Sequence, residues 1–276
     1  MSIPKEIIRE FEINVKGVVE GLFSGKHRSN VLGSSPEFAG HRPYVEGDDL
    51  RRIDWKVYAR RQKLYLKLFL NESEVPILIL FDDTRSMGMW EKHKRASIVA
   101  GMVMFAANRL NYRFSLLTLS GKYIPFNKGA QHLIRCFYET YNGGGRGDFL
   151  KGVFMTVSEI KKRVMVVVIS DFEFEENDLQ KGLNILLKFY DVVAFHILSG
   201  EEWDFKYDGK VLVDIESGKK VSISPNSAGY YRERIRRWAN GVKNLVLQGG
   251  GRYSLIFSDT PIEIEAKKVI EAMGVV

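Results

Sequence analysis

From Val75 to the C-terminus, short apolar runs alternate with segments of helical periodicity, and no other feature limits the possible folds as strongly. Strands are expected at Val75–Phe81, Arg113–Leu119, Lys122–Phe126, Val164–Ile169, Asp191–Leu198 and Tyr253–Phe257. Helices are expected between them at Glu91–Leu110, Gln131–Tyr141, about Phe149 to Lys162 and Asn177–Phe189, with a last one at Pro261–Met273. Strands separated by crossover helices give an α/β fold, an open and mostly parallel sheet with helices on both faces. Glu91–Leu110 is apolar nearly all round after its first turn, which predicts deep burial. Lys210–Ser224 breaks the rhythm with two short strands about Ser217 and Gly218, a hairpin inserted at about residues 208–225. Residues 1–74 precede the rhythm and are expected to form a distinct N-terminal region, with 75–276 as the α/β domain.

The first of these strands runs directly into Asp82, Thr84 and Ser86, and the fourth ends in Ser170 and Asp171. Ligands of open α/β sheets bind beyond the carboxyl ends of the strands, where the strand order reverses. In the order 3-2-1-4-5-6 the first and fourth strands are neighbours, roughly 4.8 Å apart. Asp82 and Asp171 would then face one cavity. Two carboxylates that close repel unless a cation lies between them or one takes up a proton. One carboxylate and two hydroxyls at alternating positions form a set of hard oxygen donors suited to Mg²⁺ or Mn²⁺. The competing reading is that an aspartate after a buried strand merely caps a helix or a turn.

With 45% hydrophobic and 12% aromatic residues, the 276-residue chain can bury a full core. Met1–Glu12 carries Glu6, Arg9, Glu10 and Glu12 where a signal peptide needs an apolar stretch. The longest apolar runs, such as Ile98–Ala107, fall well short of the roughly 20 residues that span a bilayer. A cytoplasmic location is therefore expected. The single cysteine, Cys136, lies in an expected helix and reads as a small buried hydrophobe, which excludes a disulfide framework within the chain. A net charge of +7 is modest, but it is concentrated. Arg51 to Lys67 holds seven basic residues against one acid, Asp54. Arg232, Arg234, Arg236 and Arg237 lie on a helix whose other face is Tyr231, Ile235, Trp238, Val242 and Leu245. These two surfaces, 51–67 and 232–237, are read as solvated faces, as contacts for an acidic protein, or as a nucleic-acid-binding alternative.

The pattern DxTxS at Asp82–Ser86, a glycine-rich loop at Gly143–Gly147 and an aspartate after a strand at Asp171 together resemble the von Willebrand factor A domain and its metal-ion-dependent adhesion site. Upstream, FAGHRPYVEGDDLRRIDWKVYARRQKLYLKLFLNESE (Phe38–Glu74) resembles the signature of the DUF58 family. These are bacterial and archaeal proteins with a von Willebrand A-like domain, usually associated with MoxR-type AAA+ ATPases. The likeness continues through LVDIESG (Leu212–Gly218) and YSLIFSDTPIE (Tyr253–Glu263). It implies a Rossmann-like sheet and a metal site of Asp82, Thr84, Ser86 and Asp171, with Asp148 in support. A partner's acidic side chain would complete the metal's coordination. The chain departs from the pattern at the second loop, where Gly147 stands in place of a threonine ligand. There Arg146 adds a cation that can pair with Asp82 or Asp171 and replace the metal. Resemblance further implies a chaperone-like adaptor that works with a MoxR-type ATPase on a client protein.

In the N-terminal signature, Arg42, Asp48, Asp49, Arg51, Asp54 and Arg60 mix both charges around Pro43 and Gly47. Arginine–carboxylate pairs there would clasp a loop, with Trp55 and Tyr58 anchoring it against the sheet. Alternatively Arg51, Arg52, Arg60 and Arg61 face outward, with Arg146, as a docking surface. Enzyme readings lack parts. FDDTR superficially resembles the DxDx(T/V) motif of the haloacid dehalogenase phosphatases, but Thr84 stands where their acid is needed. Gly21–His27 lacks the spacing and the Ser or Thr of a P-loop. No GxSxG elbow occurs, and His27, His41, His93, His132 and His196 show no HExxH spacing. A non-enzymatic protein is expected.

Overall fold

The computed structural model describes residues 4–26, 38–45, 48, 50, 53–69, 75–141, 147–161, 163–205, 211–213, 220–222 and 228–274. They form two compact units, Met1–Phe23 with Val75–Val276, and Ser24–Glu74.

In the larger unit, α1 (Lys5–Phe11) continues through a π-helical turn (Glu12–Gly17) into α2 (Val18–Lys26). Ile7, Phe11, Val15 and Val19 recur every four residues and are all buried in the core. The N-terminal helices, as far as Phe23, thus belong to the α/β unit. In the smaller unit, β1 (Phe38–Pro43), α3 (Trp55–Arg61) and β2 (Tyr65–Phe69) make an antiparallel ribbon with a short helix, His41 standing opposite Lys67. Asp54 caps α3, accepting from the amides of Lys56 and Val57 at 3.0 and 3.3 Å, while its other oxygen meets His41 Nε2 at 2.9 Å. Arg42 grips Asp48 with two hydrogen bonds of 2.7 and 2.6 Å, the clasp expected from the mixed charges. Trp55 and Tyr58 are exposed and pack edge to face on each other, 6.0 Å between rings.

The larger unit then follows the strand–helix rhythm. Its elements are β3 (Ile77–Phe81), a 3₁₀ turn (Ser86–Glu91), α4 (Lys92–Arg109), β4 (Phe114–Thr118), β5 (Tyr123–Asn127), α5 (Ala130–Tyr141), α6 (Phe149–Glu159) and β6 (Met165–Ser170). They continue with α7 (Glu176–Phe189), β7 (Asp191–Leu198), α8 (Gly200–Asp204), β8 (Val211–Val213), β9 (Lys220–Ser222), α9 (Ala228–Gln248), β10 (Arg252–Phe257) and α10 (Ile262–Ala272). The sheet runs β10-β7-β6-β3-β4-β5, parallel except for the edge strand β5. Counted along the sheet's own strands this is the 3-2-1-4-5-6 order, in which the first and fourth strands are neighbours. β8 and β9 pair antiparallel as the inserted hairpin.

Strands buried on both faces need no polar alternation, which is why β3 reads ILILF. Ile77, Ile79 and Phe81 face one layer with α1, α4, α5 and α10, whereas Leu78 and Leu80 face the other with α6, α7 and α9. Twelve residues of α4 are buried, among them Lys92 at its first position. That lysine is where the fold ceases to be only a matter of packing.

Candidate functional site

β3 and β6 lie side by side with Phe81 opposite Ile169, so their carboxyl ends open into the same crevice. The Asp82 amide donates to the Ile169 carbonyl at 2.9 Å, extending the pairing by one residue before the chains part. The Asp82 side chain then turns the loop. Its Oδ1 accepts from the Thr84 amide at 2.9 Å and from Thr84 Oγ1 at 2.6 Å, while Oδ2 accepts from Ser170 Oγ at 2.5 Å. Thr84 Oγ1 and Ser86 Oγ stand 3.0 Å apart. All four residues are buried. Asp83 points elsewhere and accepts from the Ser120 amide and hydroxyl at 2.9 and 2.5 Å, tying this loop to the β4–β5 turn.

Asp171 is fully buried and holds a cation of the chain itself. Lys92 Nζ donates to Asp171 Oδ2 at 2.8 Å and to Glu202 Oε1 at 2.6 Å, with Glu173 at 3.9 Å. Glu202 is fixed in turn by a capping box at the start of α8. Ser199 Oγ accepts from the Glu202 amide at 3.0 Å, and Glu202 Oε2 accepts from the Ser199 amide at 2.8 Å. Three adjacent strands, β3, β6 and β7, thus deliver Asp82, Asp171 and Glu202 to one region, and α4 delivers the lysine. Burial alone would depress the Lys92 ammonium, but Asp171, Glu173 and Glu202 outweigh it and hold it above the usual lysine range. Burial and then the charge of Asp171 push Asp82 up to about 7, against the hydrogen bonds from Ser170 and Thr84. Backbone geometry is tight as well. Phe172, directly after Asp171, has φ 55°, a left-handed conformation that costs an L-residue about 1 kcal/mol or more.

Whether a divalent cation fits can be judged from the donors. Two ligands of an octahedral ion with 2.1 Å bonds lie about 3.0 Å apart; the Thr84 and Ser86 hydroxyls, hydrogen-bonded to each other at 3.0 Å, are compatible with that spacing. The second loop offers nothing comparable. A Cβ placed on Gly147 would lie 2.6 Å from Leu119 Cβ and 2.9 Å from Thr84 Cγ2, so the backbone passes too close for any side chain. Asp171 is engaged by Lys92. Among the described residues no group of three or more His, Cys, Asp or Glu side chains is arranged to hold a metal. The fit is therefore confined to the first loop.

The remaining expected residues are placed as follows. Asp148 is exposed and caps α6, accepting from the Lys151 amide at 3.0 Å. Arg51, Arg52 and Arg146 lie outside the described residues, as does the Arg61 side chain; Arg60 is exposed on α3. The ammonium of Lys92 makes the pairing with Asp171 that was expected of Arg146. Of the α9 arginines, Arg234, Arg236 and Arg237 are exposed and Arg232 is half-buried, and three of the four also make contacts within the chain. Arg232 Nη1 donates to the carbonyls of Phe205 and Asp204 at 3.2 and 3.4 Å, Arg236 lies 5.3 Å over the Trp203 ring, and Arg237 pairs with Glu233 at 2.6 Å. Sequence reasoning missed Lys92 and Glu202 as site residues. The Ser-Gly-Glu-Glu run after β7 announces the capping box, but nothing local shows where its glutamate points.

A doubly wound sheet in this order, with acids and hydroxyls gathered beyond the carboxyl ends of its middle strands, is a von Willebrand A-type domain. Residues 40–243 match the family described as "Protein of unknown function DUF58", and the chain belongs to it. It is 27% identical over 233 residues to "Uncharacterized protein Rv1480" of Mycobacterium tuberculosis (strain ATCC 25618 / H37Rv), covering 79% of this chain and 73% of that one. The same figures hold for "Uncharacterized protein Mb1516" of Mycobacterium bovis, 27% over 233 residues. Among solved structures it is similar to the conserved hypothetical protein BatB from Bacteroides thetaiotaomicron, at 12% identity and TM-score 0.46, covering 73% of this chain and 100% of that one. A von Willebrand factor type A protein from Catenulispora acidiphila is similar at 10% identity and TM-score 0.43, covering 76% of this chain and 44% of that one. Among the described residues no helix is long and apolar enough to cross a membrane.

Proposed function

We propose that this protein is a non-enzymatic binding module and adaptor that cooperates with a MoxR-type AAA+ ATPase in maturing or remodelling a client protein. Its recognition site would be the Asp82–Thr84–Ser86 loop beyond the carboxyl end of the central strand β3. The observation that carries this reading is the buried cluster in which one carboxylate holds both its own loop, through Thr84, and the neighbouring strand end, through Ser170. The cluster is built around an acid hydrogen-bonded to two hydroxyls, a set of hard oxygen donors suited to a divalent cation. Burial first, and then the charge of Asp171, push Asp82 up to about 7, so a cation seated against it would be favoured. Mg²⁺ or Mn²⁺ would take that place on Thr84, Ser86 and Asp82, held weakly because Gly147 brings no ligand and Asp171 already has Lys92. A carboxylate of the partner would then strengthen the binding. The ATPase partnership is brought by the family resemblance.

Isothermal titration of Mg²⁺ and Mn²⁺ into the purified protein, beside Asp82→Ala, tests the site. A weak heat for the parent that vanishes in the variant is expected, and equal heats from both would reject it. Partnership is tested by co-purification of the chain with the ATPase encoded nearest to it; recovery of the chain alone would remove that part of the reading.

A further inference from the structure

A cleft of about 1080 Å³ lies beside this site, walled by the first turn of α6, the loop from β6 into α7, and α9. Its floor is apolar. Phe149 and Leu179 form one side, and Trp238, Val242 and Leu245, spaced four and three along α9, form the other. Its rim is acidic, with Asp148, Glu175 and Glu176 exposed and Asp178 half-buried. The opposite rim carries Arg234 and Arg237, the second of which is paired with Glu233.

We propose that this cleft is the docking groove for an amphipathic helix of another protein, one that lays an apolar stripe on the floor and lysines or arginines along the acidic rim. The inference rests on the binding reading above and adds the chemistry of the partner. Charge complementarity selects the occupant. The chain as a whole is +7, so a run of four carboxylates on one rim departs from its average field and would orient a basic segment that the rest of the surface repels. Glu176 and Asp178 also complement the dipole of α7, but Asp148 lies on a different helix start and Glu175 makes no cap hydrogen bond. The size is apt as well. Two turns of a helix about 10 Å across occupy about 850 Å³, which the cleft of about 1080 Å³ accommodates. A small-molecule site is usually smaller and more enclosed by apolar walls. Gly147 and Glu202 border both the cleft and the Asp82 region, so a seated helix would lie next to the recognition loop.

The test uses the full chain and a fluorescein-labelled model peptide of about 18 residues, long enough to hold a helix, with leucines on one face and lysines on the other. A twin peptide carries glutamates in place of the lysines. Anisotropy titrations are run in EDTA, so that the outcome is independent of any divalent cation. The lysine peptide is expected to bind, the glutamate peptide to fail, and the double reversal Glu175→Lys and Glu176→Lys to weaken the lysine peptide by about tenfold. Both substitutions are on exposed positions, and circular dichroism checks that the fold is kept. Trp238→Ala, on the floor, should weaken binding with the charges intact. No binding of the lysine peptide, equal binding by the reversal variant, or preference for the glutamate peptide would each overturn the proposal. Sedimentation of the chain alone adds one more outcome: self-association abolished by the reversal would make a second copy the occupant and overturn the foreign helix. Failure here leaves the Mg²⁺ heat of the Asp82 loop unaffected, and failure of that heat leaves peptide binding unaffected.

Discussion

Replacing Asp82 by asparagine should change the pH dependence of stability more than stability itself. The asparagine keeps a carbonyl oxygen for the Thr84 amide and hydroxyl, and its own amide can donate to Ser170 Oγ, so it imitates the protonated aspartate. Burial and Asp171 raise Asp82 from 3.8 to about 7 in the folded chain. Below pH 4 the group is protonated whether the chain is folded or not, and its contribution is then at its greatest. Between pH 4 and 7 the unfolded chain releases the proton while the folded chain keeps it, so stability falls as pH rises. Above 7 both forms are ionised and the loss is complete. At about 1.36 kcal/mol for each pH unit between the two midpoints, the full change is about 4 kcal/mol, of which about 2 to 3 lie between pH 5 and 8. Urea unfolding of both proteins at pH 5, 6, 7 and 8 measures it. The parent should lose about 2 to 3 kcal/mol relative to Asp82→Asn over that range, and Mg²⁺ should move the step to lower pH by competing with the proton. A difference constant to about 0.5 kcal/mol across the series would mean that Asp82 ionises as a solvated aspartate, and the charge account of the site would be wrong.

Lys92→Met should destabilise the chain by about 3 to 5 kcal/mol at pH 7, because Asp171 and Glu202 are left buried without their cation. Thermal or urea unfolding checks it; the lysine stays charged until pH exceeds its raised midpoint, so its own contribution should not vary between pH 5 and 9. Gly147→Thr restores the hydroxyl of the adhesion-site pattern, yet it should lose about 1 to 3 kcal/mol and gain no Mg²⁺ affinity, since its Cβ would meet Leu119 and Thr84. Gly147→Ala should lose a similar amount, and a Gly147→Thr protein that is stable and binds Mg²⁺ more tightly would show that the loop can open.

Much of the fold is legible in the sequence because burial on both faces leaves an unmistakable trace. ILILF, MVVVI and the run from Val192 to Leu198 can be little else than central strands once helices alternate with them, whereas the order of the sheet is shown only by the structure. Boundaries shifted by only a few residues, as at α10, where Pro261 proved to precede the helix and not to open it. The N-terminal helices were less legible. Their stripe of Ile7, Phe11, Val15 and Val19 is regular, but glycine, a π-helical turn and flanking charges interrupt the pattern that would have announced it.

The site was legible in its oxygen donors and opaque in its cation. Asp82, Thr84, Ser86 and Asp171 can be picked out because each follows a strand whose end is fixed by its apolar run. Lys92 cannot, since a lysine at the head of a helix ordinarily lies in water, and a helix apolar all round gives no face toward which to assign it. Only the fold shows that Lys92 itself is buried at 1% exposure and meets a glutamate 110 residues further along the chain. Once there, the ammonium neutralises the aspartate that a metal would otherwise share. On the β3 side, burial and then the charge of Asp171 push Asp82 toward neutrality. A ligand that brings positive charge would accordingly be felt first at the Asp82 loop, where the spacing of the two hydroxyls is compatible with an octahedral ion, and Lys92 would hold the neighbouring strand end unchanged while it binds.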